Sequence, residues 1–251
     1  MAAVADVPDV ADRTMTAMPT PEPSDDLPDS HSLRRWPVGD ASGTLVVLGD
    51  GTNEVEPTAF AAAAAASGLD CLWPTAAECW WVDVDEPADD VPCASRSWLC
   101  HVAETATGPC VLVGIGTGGQ AAAAVAFDRP DLFVAVAAIA PASDLHQWYD
   151  RDRSLQAAFV SAEQARQHEA PLRLNPLHRP RGIWVGCDPR DRPCFPSAVR
   201  LATKLSSSGI PVESDLTTEI GDSRMEYAAA RAGRIVQFLK DAAERVALPI
   251  L

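Results

Sequence analysis

The sequence predicts an α/β fold in which a doubly wound, mostly parallel sheet is covered by helices on both faces. Short, almost wholly apolar segments alternate with helix-like segments along most of the chain, and continuous apolar runs are typical of parallel strands buried on both faces. A glycine-rich turn at 113–119 follows the strongest apolar run and precedes a helical segment. Ligands bind at such strand ends in open α/β sheets, so we expect the functional site there.

The predicted elements begin with an apolar strand, bounded by Gly43 and Gly49. An alanine-dense helix follows, with Thr58 as its N-cap and Gly68 as its C-cap. The rest of the alternation is read from apolar runs, prolines and glycine stops. The predicted strands are 44–48, 70–73, 110–115, 132–140, 182–187 and 211–216, and the predicted helices are 58–67, 94–107, 120–127, 197–208 and 225–246.

Two regions depart from this alternation. Residues 1–30 contain seven carboxylates, one arginine and five prolines, and such a segment cannot bury enough apolar surface to fold. We therefore expect a disordered, acidic, Pro-rich arm over residues 1–40 and a single folded domain over 41–251. Residues 143–180 interrupt the strand–helix rhythm and are interpreted as a cap-like insertion.

The composition excludes several functions. The chain of 251 residues has a net charge of −15, so long-range repulsion from phosphates argues against nucleic-acid binding. It has no apolar run of about 18 residues, so we expect no membrane span. The N-terminus lacks a signal-peptide pattern, and the seven cysteines lack C-x-x-C spacing. We therefore expect a cytoplasmic protein with reduced cysteines and no metal or cofactor.

The glycine-rich turn has two interpretations. Gly114, Gly116 and Gly119 satisfy the G-x-G-x-x-G pattern of dinucleotide-binding proteins, with Asp144 available near the end of the next strand. Against this, two strand–helix units precede the motif, whereas such motifs usually open their domain. The other interpretation is the G-x-S-x-G nucleophile elbow of hydrolases, with Gly116 at the position of the serine.

The second interpretation is supported by a family resemblance. The stretch 113–142, VGIGTGGQAAAAVAFDRPDLFVAVAAIAPA, resembles the elbow, helix and following strand of esterase-type α/β-hydrolases, particularly their small putative-esterase branch. Asp50-Gly51-Thr52-Asn53 resembles the family's oxyanion loop, 187–191 its acid loop, and 221–227 its histidine loop. The resemblance covers about residues 42–240 and implies the α/β-hydrolase fold.

The resemblance also assigns roles to positions. It places Gly116 at the nucleophile position, Asp191 at the acid position with Asp188 as the alternative, and Ser223 at the histidine position with Asp222 as the alternative. Thr117 and Thr52 would lie at the oxyanion hole. Glycine has no side chain to attack a carbonyl, and neither Ser223 nor Asp222 is a base like imidazole near pH 7.

The histidines lead to the same conclusion without the alignment. In this family the histidine follows the acid along the chain, yet the five histidines, His31, His101, His146, His168 and His178, all precede Asp191. We therefore expect an esterase-like homologue without catalysis that binds a small molecule or an ester, or regulates a partner of unknown identity. One alternative is an ester hydrolase that uses Thr117 or Cys187 with Asp191 and an insertion histidine. The dinucleotide binder remains the second alternative.

Overall fold

One mixed sheet runs through the computed structural model, which describes residues 22–23, 31–50, 57–76, 80–82 and 96–247. The strands are β1 (Glu22–Pro23), β2 (His31–Trp36), β3 (Thr44–Leu48), β4 (Asp70–Ala76), β5 (Cys110–Ile115), β6 (Phe133–Ile139), β7 (Gly182–Gly186) and β8 (Glu213–Asp215). In space they lie in the order β1-β2-β4-β3-β5-β6-β7-β8. Only the β1–β2 and β2–β4 pairs are antiparallel. The predicted doubly wound, mostly parallel sheet is confirmed.

Helices cover both faces of the sheet. They are α1 (Thr58–Ala66), α2 (Arg96–Glu104), α3 (Thr117–Asp128), α4 (Leu145–Trp148), α5 (Arg153–Ala158), α6 (Ala162–Gln167), α7 (Phe195–Ser207) and α8 (Arg224–Ala247). Helices α1 and α8 pack against each other, and both α3 and α8 pack on β5 and β6. The core between these layers is alanine-, valine- and leucine-rich, which lets the helices approach the sheet closely.

The predicted bounds agree best with the structure for the central strands. β3 has the predicted bounds, and every residue of β3 and β5 is buried, as their continuous apolar sequences indicate. β4 is longer than predicted, because it continues through Pro74. β3 pairs with β4 only as far as Leu72, whereas Pro74 pairs with Leu33 of β2. The proline therefore lies where one of the two neighbouring ladders has already ended.

The predicted arm is wrong over residues 31–40. These residues include β2, which pairs with β4 along six positions. Trp36 is buried, and its ring centroid lies 6.3 Å from that of Trp73. Burial of this indole stabilises a segment that directly follows the proline-rich, acidic residues 1–30. Residues 1–21 and 24–30 lie outside the described residues.

The segment between β6 and β7 is largely helical. It contains α4, α5, α6 and two 3₁₀ turns, Tyr149–Arg151 and Ala170–Leu172. The second turn packs against α3 and α7, so the excursion is joined to the main domain. Its interpretation as a cap stays a prediction. Among the described helices, none combines the length and apolar character that crossing a membrane requires.

The topology determines where a site can form. β3 and β5 are neighbours, but β4 lies beyond β3 on one side and β6 beyond β5 on the other. The loops that leave the carboxyl ends of β3 and β5 therefore diverge and leave a crevice between them. Asp50 follows β3 at this crevice, and Gly116 follows β5.

Candidate functional site

The turn from β5 into α3 has a backbone conformation that favours glycine. Gly116 has φ +61° and ψ −118° at the N-cap of α3. Its N–H donates to the carbonyl of Ile139 at 2.9 Å, and its carbonyl accepts from the N–H of Ala142 at 3.0 Å. The end of β6 therefore fixes the turn. An L-residue is disfavoured here because its Cβ would crowd the backbone.

The carboxylate of Asp50 fills the space beside Gly116. A Cβ atom added to Gly116 would lie 1.7 Å from Asp50 Oδ1 and 2.4 Å from its Cγ. The same Oδ1 accepts a hydrogen bond of 3.1 Å from the backbone N–H of Thr117. Asp50 thus takes the place of a side chain at 116 and caps α3, whose own N-cap residue offers no side chain.

Arg224, the first residue of α8, joins two carboxylates. Its Nη1 lies 3.1 Å from Asp50 Oδ2 and 3.3 Å from Oδ1. Its Nε lies 3.2 Å from Asp191 Oδ2, and its Nη2 lies 3.4 Å from Asp191 Oδ1. The result is a chain of three charged groups, Asp50–Arg224–Asp191, over the Gly116 turn. We call it the Asp–Arg–Asp cluster.

The surroundings of the cluster change the pKa of its members. Burial raises the pKa of Asp50 above 3.8, although Arg224 and the Thr117 amide oppose that shift. Burial alone lowers the pKa of Arg224, but the carboxylates of Asp50 and Asp191, together with Cys194, raise it overall. The guanidinium therefore keeps its proton, and a guanidinium has no lone pair with which to accept another.

A cleft of about 540 Å³, lined mostly by polar and charged residues, opens onto the cluster. It lies at the carboxyl ends of β3 and β7, beside the start of α8, where the fold places ligands. Its described lining residues are Asp50, Asp188, Arg190, Asp191, Pro193, Gly221, Asp222, Ser223, Arg224 and Met225. The structure thus brings the two acid candidates and both histidine-position candidates to one cleft.

The structure is similar to several solved hydrolases. It matches the fluorophosphonate-binding serine hydrolase F of Staphylococcus aureus with a TM-score of 0.69 and 14% identity, over 84% of this chain and 92% of that one. S-formylglutathione hydrolase FrmB of S. aureus gives a TM-score of 0.65 and 16% identity over 84% and 92% of the two chains. Mouse alpha/beta hydrolase domain-containing protein 10 gives 0.62 and 14% over 90% and 99%. The chain has the α/β-hydrolase fold.

Sequence comparison alone gives no such match. The sequence fits no protein-family model and matches no curated protein. In the α/β-hydrolase fold the nucleophile belongs on the strand-to-helix turn that Gly116 occupies here, and the amide after it belongs to the oxyanion hole. That amide is the Thr117 N–H, which Asp50 already engages.

The two acid candidates have different surroundings. Asp191 lies against Arg224, with its side chain 10% exposed. Asp188 instead accepts from the Ile220 N–H at 2.7 Å and from the Arg190 guanidinium at 2.9 Å. Arg190 in turn donates to the carbonyl of Gly221. Asp188 therefore holds the loop that leads into α8, whereas Asp191 faces the Gly116 turn through Arg224.

The histidine-position candidates lie at the start of α8. Ser223 is exposed, and its Oγ accepts a 3.2 Å hydrogen bond from the Glu226 N–H. Asp222 is also exposed, and its N–H donates to Glu226 Oε2 at 2.6 Å. These bonds satisfy free amides at the helix N-terminus. The side chain that faces Asp191 belongs to the next residue, Arg224.

The structure describes only one of the two oxyanion-hole candidates. Thr52 lies outside the described residues. Thr117 contributes its N–H to the bond with Asp50, while its Oγ1 is buried without a hydrogen-bond partner among the described residues. A hydroxyl shielded in this way is not presented to a molecule in the cleft.

The cysteine candidate is also buried. Cys187 and Cys194 are fully buried free thiols. Burial raises the pKa of the Cys187 thiol well above its usual range and raises that of Cys194 to about 12. Since the thiolate is the nucleophile, neither sulfur has the ionised form that attack needs near neutral pH.

The insertion histidines have partners away from the cleft. His146 Nδ1 lies 2.5 Å from Glu169 Oε1, and His168 Nδ1 lies 3.0 Å from Arg173 Nη2. His178 is exposed near a turn. None of the three is among the described lining residues of the cleft. The structure therefore does not bring an insertion histidine to Asp191.

The glycine cluster is explained by close packing. A Cβ on Gly114 would lie 2.0 Å from the Gly118 carbonyl oxygen, and one on Gly119 would lie 2.9 Å from that of Ile139. These glycines let α3 approach β5 and β6, and the carboxylate of Asp50 occupies the helix N-terminus where a pyrophosphate would bind. Within the described ranges no group of three or more His, Cys, Asp or Glu side chains could hold a metal ion.

Sequence reasoning missed two members of the cluster. The resemblance places Asp50 in the oxyanion loop without assigning it a role, and it assigns none to Arg224. A signal was present, because an acid expected at the buried crevice needs a counter-charge. The only basic residue of the segment 221–227 is Arg224.

Proposed function

We propose that this protein is an esterase-like α/β-hydrolase-fold protein without serine-hydrolase activity, which acts by binding a small molecule or by regulating a partner. One observation carries the proposal. The carboxylate of Asp50, paired with Arg224, occupies the volume beside Gly116 where the side chain of a nucleophile would lie. A negative charge at this place also repels the oxyanion that forms during acyl transfer.

A serine hydrolase also requires a nucleophilic hydroxyl and a histidine base, and the described groups around the cleft supply neither. Among its described lining residues, the only hydroxyl belongs to Ser223, which caps α8. The group beside Asp191 is the guanidinium of Arg224, which cannot act as a general base. A Gly–Arg–Asp constellation therefore lacks both the hydroxyl and the imidazole of a serine-hydrolase triad.

The cleft supports binding as the alternative use of the fold. Its volume of about 540 Å³ is in the range of small-molecule sites. The free thiols among the described cysteines also fit the cytoplasmic location that we propose, because reducing compartments preserve them.

The test is an assay of the wild-type protein with short p-nitrophenyl esters and a fluorophosphonate probe. We expect no turnover above the buffer rate and no covalent labelling. Asp191→Asn serves as the matched variant. Clear wild-type turnover that Asp191→Asn abolishes would establish the alternative, an ester hydrolase that uses other residues, and would overturn the proposal.

A variant designed to gain activity provides a second test of the same assignment. The triple variant Asp50→Ala, Gly116→Ser, Arg224→His supplies a hydroxyl and an imidazole while removing the carboxylate between them. We expect fluorophosphonate labelling of this variant. The control is the double variant Asp50→Ala, Arg224→His, which keeps Gly116 and should remain unlabelled.

A further inference from the structure

Two hydrogen-bond donors beside the Gly116 turn converge on one carboxylate. The Thr117 N–H at the N-terminus of α3 and Nη1 of Arg224 both lie within 3.3 Å of Asp50 Oδ1, and Nη1 also lies 3.1 Å from Oδ2. A helix N-terminus carries partial positive charge, and guanidinium carries a full one. Together they contact both oxygens of one carboxylate.

Other contacts hold these donors in place without Asp50. The turn before Thr117 is fixed by backbone bonds from Gly116 to Ile139 and from Ala142 to Gly116. Arg224 is oriented by Asp191, which contacts its Nε and Nη2 and leaves Nη1 to face the crevice. The site is therefore expected to keep its shape when the Asp50 carboxylate is removed.

The charges around the site favour an anion with a single negative charge. Arg190 and Arg224 bring two positive charges to the cleft, and Asp188, Asp191 and Asp222 bring three negative ones. A phosphate with two charges would therefore be repelled more strongly than an anion with one. A planar carboxylate matches both the geometry and the charge of the two donors.

We propose that the Thr117 amide and Arg224 form a binding site for small monocarboxylates, which Asp50 occupies as an internal ligand. This inference rests on the proposed function and names the ligand class of the same cleft. An external carboxylate binds there by displacing the side chain of Asp50. In the wild-type protein this competition keeps the site closed to weak ligands.

The experiment measures Tm of wild type and of Asp50→Ala in 100 mM sodium acetate against 100 mM sodium chloride at pH 7. If acetate binds Asp50→Ala with a Kd of about 10 mM, its Tm rises by about 4 °C over the chloride value. We expect a much smaller difference in the wild type. Acetamide, a neutral molecule of similar shape, should leave Tm of Asp50→Ala unchanged.

The matched control is the double variant Asp50→Ala, Arg224→Gln. Its Tm in acetate should be no higher than its Tm in chloride. If Asp50→Ala does not fold in chloride, recovery of its far-UV circular dichroism in acetate is the readout. Equal acetate effects in Asp50→Ala and in either the wild type or the double variant would overturn the site. Failure to fold in both salts would overturn it as well.

The acetate experiment involves no turnover, so its outcome is independent of the esterase assay. Wild-type hydrolysis together with acetate binding by Asp50→Ala would reject the proposed function and keep the carboxylate site. Absence of both would keep the proposed function and reject the site.

Discussion

Gly116→Ser should lower the free energy of unfolding by about 3 kcal/mol, of which backbone strain is only about 1 kcal/mol. The strain arises because Gly116 has φ +61°, where an L-residue is disfavoured. The larger part comes from the side chain of Asp50. The new Cβ would lie 1.7 Å from its Oδ1, so the carboxylate has to leave its position.

Displacement of the carboxylate removes two interactions together. Asp50 loses the hydrogen bond from the Thr117 N–H and the ion pair with Arg224. The side chains of Asp50 and Arg224 are each 23% exposed, so solvent screens the pair only partly. We assign about 2 kcal/mol to this combined loss, within the range for hydrogen bonds to charged groups.

The assay is guanidinium chloride unfolding followed by tryptophan fluorescence. Gly209→Ser is the matched control, because Gly209 has φ +69° and no atom within 4 Å of an added Cβ. This control isolates the backbone strain and should lower the free energy of unfolding by about 1 kcal/mol. Asp50→Ala should cost about 2 kcal/mol and the double variant with Gly116→Ser about 3 kcal/mol, because the carboxylate is lost only once.

Two results would refute this reasoning. If Gly116→Ser costs no more than Gly209→Ser, the carboxylate does not fill the space beside the turn. If the costs of Gly116→Ser and Asp50→Ala simply add in the double variant, the two positions do not compete for the same volume.

Two further predictions concern the loop around Asp188 and the buried thiols. The Arg190 guanidinium holds the pKa of Asp188 well below 3.8, so the ionised form stabilises the fold above that pH and the stabilisation is lost as the pH falls below it. The Tm difference between wild type and Asp188→Asn should therefore be largest near neutral pH and shrink below about pH 4 in melts from pH 2 to 7; a difference that grows on acidification would contradict the assignment. Cys187 and Cys194 should stay unmodified by a disulfide reagent in the folded protein and react once it is unfolded, as mass spectrometry of peptides would show; rapid labelling of either in the native state would argue against their burial.

Much of the fold follows from local sequence because buried parallel strands carry their own signal. β5 reads CVLVGI and is buried at every position, so its apolar run predicts its environment directly. β2 has no such signal, since it contains two arginines and lies next to the edge of the sheet, where only the two-residue β1 pairs beyond it. Arg34 lies over the ring of Trp73 at 5.5 Å, and Trp36 packs against the same indole. Only the position of β4 makes these contacts possible.

The parts of the site differ in the same way: one is visible in local sequence, and the other depends on the fold. Gly116 stands out in the sequence because a glycine-rich turn between strand and helix is a local pattern. The bond between Asp50 and Arg224 joins residues 174 positions apart and depends on the sheet topology that brings β3, β5 and the start of α8 together. Local patterns therefore indicate the glycine of the turn more readily than the ion pair that lies against it.

What fills the site constrains how it can change. Arg224 lies between two carboxylates, so its removal leaves both of them partly buried without their cationic partner, which costs more than the pairs contribute. Gly116→Ser alone would meet the Asp50 carboxylate, and Arg224→His alone would leave two carboxylates facing a group that is neutral for much of the time near pH 7. A serine-hydrolase triad at this turn would therefore require changes at Asp50, Gly116 and Arg224 together. This interdependence gives a physical reason for the Asp–Arg–Asp cluster to persist as a unit once it has formed.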